Sequence, residues 1–166
     1  MSEAGVAATA AVGEIAARLL ARGEWLATAE SCTGGLIAAR CTDLAGSSGW
    51  FERGVVSYSN RAKQDLLGVA AELVERHGAV SEETVLAMAA GLLASAPVQH
   101  AIAVSGIAGP GGGSPEKPVG TVWIAWAGGR RAPAARLHRF DGDRDAIRQL
   151  ATLAALQGLL ERLKPQ

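Results

Sequence analysis

The stretch Thr28–Ala39, TAESCTGGLIAA, indicates where a buried strand ends and a helix begins. The strand is predicted to stop at Glu30-Ser31, and the helix is predicted to run from about residue 33 to 44. The free N–H groups of such a helix's first turn would surround the Ser31 oxygen. Those donors and the positive end of the helix dipole suit a developing negative charge. Ser31 is therefore either a nucleophile or the cap of this helix, and the stretch alone leaves both open.

Strands alternate with helices on either side of this stretch, and a hairpin comes late. The predicted elements are helix 8–22, strand 25–29, helix 33–44, strand 54–59, helix 60–67, helix 81–94, strand 99–107, strands 119–127 and 134–140 as a hairpin, and helix 143–163. That order predicts an α/β fold, a three-layer α/β/α sandwich with a mixed, mostly parallel sheet. Both faces of strand 119–127 are apolar, so it is predicted to be central. With 166 residues, we expect one domain, 1–166.

Charge and cysteine usage exclude several classes of function. Lys plus Arg and Asp plus Glu each total 16, so the formal charge is zero and no nucleic-acid partner is expected. The pair Arg130-Arg131 is more typical of a solvated turn. Cys32 and Cys41 are predicted to lie on one helix about 13 Å apart, which excludes a disulfide. No Cys/His cluster has metal-ligand spacing, so no metal site is expected.

Terminal and surface features bear on localisation and partners. The segment 1–5 lacks the basic and apolar blocks of a signal peptide. No apolar run approaches the roughly 20 residues of a membrane span. We therefore expect a cytoplasmic protein with no membrane partner. Trp50-Phe51, beside a Gly/Ser turn, is predicted to form an exposed interface patch, and we expect a homodimer.

The segment 57–63, SYSNRAK, supplies a possible base for Ser31. A serine nucleophile needs a base, and no histidine falls near a plausible active edge. Lysine serves when its pKa is lowered toward neutrality. Lys63 follows a predicted strand, with the Tyr58 hydroxyl upstream as a possible proton relay. A solvated helix lysine fits the local pattern equally well.

A glycine-rich loop follows the strand 99–107. The segment 105–114, SGIAGPGGGS, resembles neither a P-loop nor a dinucleotide fingerprint. Its backbone N–H groups can bind a phosphate or carboxylate, or the loop is a flexible hairpin connection.

Four further charged residues have two interpretations each. Glu30 and Asp65 are either general acids or bases, or partners of a neighbouring N–H or of Lys63. Arg144 and Arg148, one turn apart on the last predicted helix, either reach a phosphate or form a solvated face.

Taken together, these segments resemble the nicotinamide-nucleotide amidohydrolase family, whose domain also forms the C-terminal half of competence/damage-inducible CinA proteins. The matching segments are AESCTGG at 29–35, YSNRAK at 58–63, HGAVS at 77–81, SGIAGPGGGSPEKPVGT at 105–121 and GDR at 142–144. Gly111 departs from relatives that often carry a polar residue there. The N-terminal domain of full-length CinA proteins, linked to ADP-ribose pyrophosphatase activity, has no counterpart here, so we expect that activity to be lacking.

The resemblance implies hydrolysis of the carboxamide of nicotinamide mononucleotide to nicotinic acid mononucleotide and ammonia, in pyridine-nucleotide salvage, without metal or cofactor. It implies Ser31 as the nucleophile, Lys63 as its base and Tyr58 in an auxiliary role. The substrate-binding residues predicted with it are Cys32, Thr33, Gly34, Gly35, Ser105, Gly106, Gly109, Gly112 and Gly113. The alternatives are a non-catalytic nucleotide-binding module and a competence- or DNA-damage-related regulatory module.

Overall fold

Five strands form one sheet with helices on both faces in the computed structural model, which describes residues 2–165. The strands are β1 (Leu26–Glu30), β2 (Phe51–Val56), β3 (His100–Gly106), β4 (Thr121–Gly128) and β5 (Ala134–Arg139). The helices are α1 (Glu3–Arg22), α2 (Leu36–Thr42), α3 (Asn60–Leu67), α4 (Ala71–His77), α5 (Glu82–Ser95) and α6 (Arg144–Arg162), with a short 3-10 helix at Ser47–Gly49.

The strand order is β2-β1-β3-β4-β5. β1 pairs in parallel with both β2 and β3, whereas β4 is antiparallel to β3 and to β5. All strands except β4 therefore run in one direction. Helices α1, α2 and α6 cover one face, and α3, α4 and α5 cover the other. The predicted three-layer α/β/α sandwich with a mixed, mostly parallel sheet is confirmed.

The two faces of the sheet differ in side-chain size. On β3, Ile102 and Val104 point to the face of α1 and α6, while Ala101 and Ala103 point to the face of α5. Small residues on that second face let α5 pack directly on β3 and β4. β4 follows the same alternation, as the sequence predicted, and lies between β3 and β5 with both faces covered.

Helix α1 is longer than predicted because Ser2 caps it. The Ser2 side chain accepts a hydrogen bond from the Gly5 N–H at 3.1 Å, so the helix begins at Glu3 rather than at Ala8. Within residues 2–165 it is the one helix long and apolar enough to cross a membrane by length and composition, contrary to the sequence expectation of no such run. One face of α1 packs against α6 in the core.

The start of the helix that follows β1 differs from the prediction. Helix α2 begins at Leu36 instead of about Thr33, because Gly34 and Gly35 adopt left-handed φ angles of 58° and 100°. Cys32 therefore lies in a turn, not on a helix with Cys41, and both cysteines are free.

Two further differences lie after β1. Strand β2 ends at Val56, before the predicted end at residue 59, because the Ser59 side chain caps α3 by accepting from the Ala62 N–H at 2.9 Å. Helix α4 was not predicted at all.

The predicted interface patch at Trp50-Phe51 is wrong. Trp50 is 1% exposed and belongs to the core on the α1, α2 and α6 side, with Phe51 packed against it. Leu26 at the start of β1 donates its N–H to the Trp50 carbonyl at 2.9 Å, which holds the backbone of Trp50 beside the sheet.

We predict that alanine substitutions at two glycines change the free energy of unfolding in opposite directions. In α6, a Cβ at Gly158 would lie 2.1 Å from Trp126, whose indole N–H donates to the Ala155 carbonyl at 2.8 Å. We expect Gly158→Ala to lower the free energy of unfolding by about 1–3 kcal/mol through overpacking. At Gly13 in α1, no described atom lies within 4 Å of such a Cβ. Gly13→Ala should therefore raise the free energy of unfolding by about 0.5–1 kcal/mol. Urea denaturation measures both, and a stabilised Gly158→Ala protein would contradict this account of the packing.

Candidate active site

The carboxyl ends of three parallel strands meet at one edge of the sheet. Glu30, the last residue of β1, is level with Val56 of β2 and Val104 of β3. The chain passes from β1 to β2 on one side of β1, and then to β3 on the other side. In open α/β sheets, ligands bind in the crevice at the carboxyl ends of the strands where the strand order reverses in this way.

A cavity of about 250 Å3 opens at this edge. Its lining combines residues from the ends of β1, β2 and β3 with others from α3, α6 and the segment before α5. The lining residues are Ser31, Cys32, Tyr58, Asn60, Lys63, Ala79, Val80, Ser105, Gly106, Ala108 and Arg144.

The buried carboxylate of Glu30 holds the start of α2. Its Oε1 accepts from the Ile37 N–H at 2.9 Å and its Oε2 from the Ala38 N–H at 3.0 Å. Glu30 is thus a partner for neighbouring N–H groups, one of the two roles left open by the sequence. Ser31 makes no capping bond to α2, whose N-cap is Gly35, so the interpretation of Ser31 as a helix cap is wrong.

The turn that carries Ser31 is held from several sides. The Ser31 N–H donates to the Val104 carbonyl at 3.0 Å. From α6, Arg148 donates through Nε to the Cys32 carbonyl at 3.0 Å and through Nη2 to the Thr33 carbonyl at 3.2 Å. Arg148 is half-buried, so the solvated-face interpretation does not hold for it.

Ser31 and Lys63 form a buried pair. The Lys63 Nζ lies 3.2 Å from the Ser31 Oγ, and the two residues are 1% and 8% exposed. The same Nζ donates to the main-chain carbonyls of Ser57 and Tyr58, each at 3.0 Å. Lys63 is therefore not the solvated helix lysine that its local pattern allowed.

Burial makes Lys63 harder to protonate. It lowers the pKa of the Lys63 amine below its ordinary value, and the oxygens bonded to its Nζ belong to a hydroxyl and two carbonyls rather than to carboxylates. Asp65 pairs instead with Arg61 at 2.8 Å. A lysine in this state can act as a base. Burial also raises the pKa of the neighbouring Cys32 thiol to about 11, which keeps it protonated.

Tyr58 contacts the pair through its backbone rather than its phenol. Its carbonyl lies 3.4 Å from the Ser31 Oγ as well as 3.0 Å from Lys63. The side chain is 60% exposed, and its hydroxyl lies 3.5 Å from Arg144 Nη2. In this geometry the phenol is not the proton relay considered from the sequence.

The N–H groups available near Ser31 come from the turn and not from α2. Those of Ile37 and Ala38 bind Glu30, and that of Gly34 donates to the Ser31 carbonyl at 3.1 Å. Within residues 2–165 the N–H of Cys32, a residue of the cavity wall, makes no hydrogen bond to another residue. The expectation that the first turn of a helix surrounds the Ser31 oxygen is therefore wrong.

Only part of the predicted substrate-binding set lines the cavity. Cys32, Ser105 and Gly106 do so. The residues outside the lining are Thr33, Gly34, Gly35, Gly109, Gly112 and Gly113. In the loop, a Cβ at Gly109 or Gly113 would strike Val119, so these glycines serve close packing of the loop.

Sequence reasoning did not assign several lining residues to the site. They are Asn60, Ala79, Val80, Ala108 and Arg144. All fall inside the motifs that carried the family resemblance, which was the one available signal. For Arg144, the sequence left open whether it reaches a phosphate or belongs to a solvated face.

The charge of the lining is positive. Among residues 2–165, Lys63 and Arg144 are its ionisable cations, and none of its side chains is a carboxylate. Within residues 2–165, no group of three or more His, Cys, Asp or Glu side chains could hold a metal ion.

A larger cleft of about 650 Å3 lies at the opposite end of the sheet and is rich in arginine. Three of its four arginines donate to main-chain carbonyls: Arg22 to Leu163, Arg131 to Lys164, and Arg162 to Gly128 and to two carbonyls of the β4–β5 turn. That cleft is remote from Ser31.

Comparison with known proteins identifies the family. A model of the CinA C-terminal domain matches residues 8–163. The nicotinamide-nucleotide amidohydrolase PncC of Escherichia coli K12 is 54% identical over 149 residues, 90% of each chain. The protein of the same name from Pseudomonas putida is 55% identical over 134 residues, 81% of this chain and 83% of that one.

Solved structures of similar proteins have the same fold as this chain. The competence damage-inducible protein A (ComA) of Klebsiella pneumoniae subsp. pneumoniae MGH 78578 has a TM-score of 0.90 and 43% identity, over 94% of this chain and 96% of that one. The competence/damage inducible protein CihA of Agrobacterium tumefaciens has a TM-score of 0.92 and 42% identity, over 95% and 96%. These matches confirm the resemblance seen in the motifs, and the chain belongs to the CinA C-terminal domain family.

Proposed function

We propose that this protein hydrolyses the carboxamide of nicotinamide mononucleotide to nicotinic acid mononucleotide and ammonia, as a step of pyridine-nucleotide salvage. The observation that carries the proposal is the buried contact of 3.2 Å between the Lys63 Nζ and the Ser31 Oγ at the wall of a cavity. Relatives that are 54% and 55% identical to this chain over 149 and 134 aligned residues are named nicotinamide-nucleotide amidohydrolase, which supports the substrate.

The hydrogen bonds of Lys63 support its role as the base. A neutral amine has two N–H donors and one lone pair. The carbonyls of Ser57 and Tyr58 accept the two N–H bonds, so the lone pair can face the Ser31 hydroxyl. A carboxylate partner would instead stabilise the ammonium and prevent it from accepting a proton.

The reaction then follows serine chemistry. The Ser31 oxygen attacks the carboxamide carbon while its proton passes to Lys63, which gives a tetrahedral oxyanion. Lys63 returns this proton to the leaving nitrogen, ammonia departs, and an ester links Ser31 to the nicotinoyl group. Water, deprotonated by Lys63, cleaves the ester, and the proton returns to Ser31.

A backbone donor near the nucleophile supports the oxyanion step. The N–H of Cys32, a residue of the cavity wall, makes no hydrogen bond to another residue within residues 2–165. A strong donor of this kind contributes about 2.7–4 kcal/mol to such a transition state. Arg148 holds the Cys32 carbonyl, so it positions this peptide group.

We also propose that residues 1–166 form one domain. All five strands belong to a single sheet, and the family match extends over residues 8–163.

Replacing the nucleophile separates catalysis from binding. We expect Ser31→Ala to reduce ammonia release from nicotinamide mononucleotide by at least about 10³-fold, because no acyl-enzyme can form. Calorimetry should show that the variant still binds the mononucleotide. Ser95→Ala is the control, since Ser95 is exposed on α5 and its hydroxyl donates to the Gly91 carbonyl of the same helix. Full activity of Ser31→Ala would contradict the mechanism, and no ammonia release by the wild-type protein would favour a non-catalytic nucleotide-binding module.

The pH dependence of kcat/KM tests Lys63. Only the neutral amine accepts the serine proton, so kcat/KM should rise with pH and level off above the pKa of Lys63. Burial lowers that pKa, so the rise should lie below pH 10.5, the value of an ordinary lysine. Lys63→Met should lose about 10²- to 10⁴-fold in kcat/KM together with the pH-dependent rise.

Lys164→Met is the matched control for this profile, since Lys164 is exposed at the opposite end of the sheet. It should keep both the rate and the pH dependence of the wild-type protein. If Lys63→Met retained the same rise with pH, another group would be the base.

A further inference from the structure

We propose that the cleft of about 650 Å3 at the opposite end of the sheet from Ser31 binds a polyphosphate group, inorganic or carried by a nucleotide, through Arg130 and Arg131. The proposal goes beyond the amidohydrolase function, because this arginine cleft shares no lining residue with the cavity beside Ser31. Its support is the position of the cleft, its excess of positive charge, the unused donors of the turn between β4 and β5, and the kinds of side chain in its lining.

The arginine cleft lies where the parallel strands begin. His100, the first residue of β3, is level with Gly128, the last residue of β4. Helices α1 and α6 both end at this cleft, with Arg22 and Arg162 in their last turns. Ser31 follows the other end of β1, so the length of the sheet separates it from the cleft. A ligand in the cleft and a substrate beside Ser31 can therefore be bound at the same time.

The lining of the arginine cleft has more positive than negative charge. It contains four arginines, and Glu24 is its one carboxylate among the described residues. Glu24 lies 3.8 Å from the Arg22 guanidinium and 2.7 Å from the ring of His100, so it is already engaged. The negative ends of the α1 and α6 dipoles together contribute about one further negative charge. About two positive charges therefore lack a counterion, even without counting the exposed Lys164.

Two of the arginines repel each other. Arg162 is half-buried, and burial, followed by the charge of Arg131, lowers the pKa of the Arg162 guanidinium below its ordinary value. Its Nη2 donates to the carbonyls of Arg131 and Ala132 at 3.1 and 3.0 Å, which fixes the turn between β4 and β5 to the end of α6. The two positive charges are thus held near each other by the fold. An anion bound beside them would offset their repulsion.

The turn between β4 and β5 has donors that no described residue uses. Within residues 2–165, the main-chain N–H groups of Arg130 and Arg131 make no hydrogen bond to another residue. The Arg131 Nε also has no partner there, and its Nη2 has only a contact of 3.5 Å to the Lys164 carbonyl. Gly128 and Gly129, just before these groups, adopt left-handed φ angles of 92° and 68°. Consecutive N–H groups in turns of this kind form concavities that bind anions.

The side chains of the lining indicate which part of a ligand is recognised. The volume falls within the roughly 300–1,000 Å3 of small-ligand sites. Apart from glycines and Pro165, the lining residues are charged or titratable. The one ring among them, that of His100, is 4% exposed and offers no face for a base to stack on. The cleft therefore suits several adjacent phosphates, whose oxygens guanidinium groups bind in pairs of hydrogen bonds, and not a nucleobase.

Calorimetry with inorganic triphosphate tests the site. We expect one triphosphate to bind per chain, more tightly than inorganic phosphate because it carries more charge, and more weakly as salt is added. Arg130→Gln and Arg131→Gln should each raise the Kd at least about 10-fold, because each removes a charged donor. Both residues lie on a surface turn, and thermal unfolding without ligand reports whether the variants fold.

Arg136→Gln is the matched control. Arg136 lies on β5 of the same hairpin, pairs with Glu161 at 3.3 Å and is outside the lining of the cleft. Its replacement removes the same charge and should change the Kd of triphosphate by less than about twofold, since an exposed charge away from the ligand is screened.

Two further ligands test what the cleft recognises and where. ATP should bind within about threefold of inorganic triphosphate, because the lining holds no group for the base. In the Ser31→Ala protein, saturating nicotinamide mononucleotide should leave the Kd of triphosphate unchanged. Competition between the two would put the triphosphate in the cavity beside Ser31 and overturn the proposal, and much tighter binding of ATP would show that a base is recognised after all.

The absence of saturable triphosphate binding would also overturn the proposal, because the arginines would then only hold the turn and the helix ends together. An unchanged Kd in Arg130→Gln and Arg131→Gln would do the same, as would an equal loss in Arg136→Gln, which would indicate a general effect of net charge. None of these results bears on the proposed amidohydrolase function, since the cleft is remote from Ser31.

Discussion

The hydrogen bonds between the Glu30 carboxylate and the start of α2 are the constraint on which the site depends. A buried carboxylate is costly unless its oxygens are satisfied, and here the Ile37 and Ala38 N–H groups satisfy them. The end of β1 and the beginning of α2 are thereby held together. The residues between them must close a very short connection, which requires the left-handed conformation of Gly34 and Gly35. Ser31 begins this connection and faces the cavity because of it.

The absence of a carboxylate beside Lys63 is as important as the contact with Ser31. Burial without a carboxylate partner lowers the pKa of this amine, which shifts it toward the neutral form that the proposed reaction needs. The nearby acids are used elsewhere: Glu30 binds α2, and Asp65 pairs with Arg61. The same distribution of acids leaves the lining with positive charge alone.

Helix α6 connects the two parts of the site. Arg148 binds carbonyls of the turn that carries Ser31, and Arg144, one turn earlier, binds the carbonyl of Gly109 in the glycine-rich loop. Packing of α6 on the sheet therefore sets the position of the turn and of the loop together. Two glycines of that loop, Gly109 and Gly113, allow it to pack closely against Val119 and do not line the cavity.

The sequence by itself determined the layer architecture, because apolar periodicity and the late hairpin depend on local spacing. It also determined which residue types could react, Ser31 and Lys63, although their pairing entered through resemblance to a family. Only the tertiary structure decided that Glu30 and not Ser31 caps α2, that Tyr58 contacts the pair through its carbonyl, and that Arg144 lines the cavity. The reason is physical: these contacts join strand ends to elements far along the chain, and the packing of helices on the sheet brings those groups together.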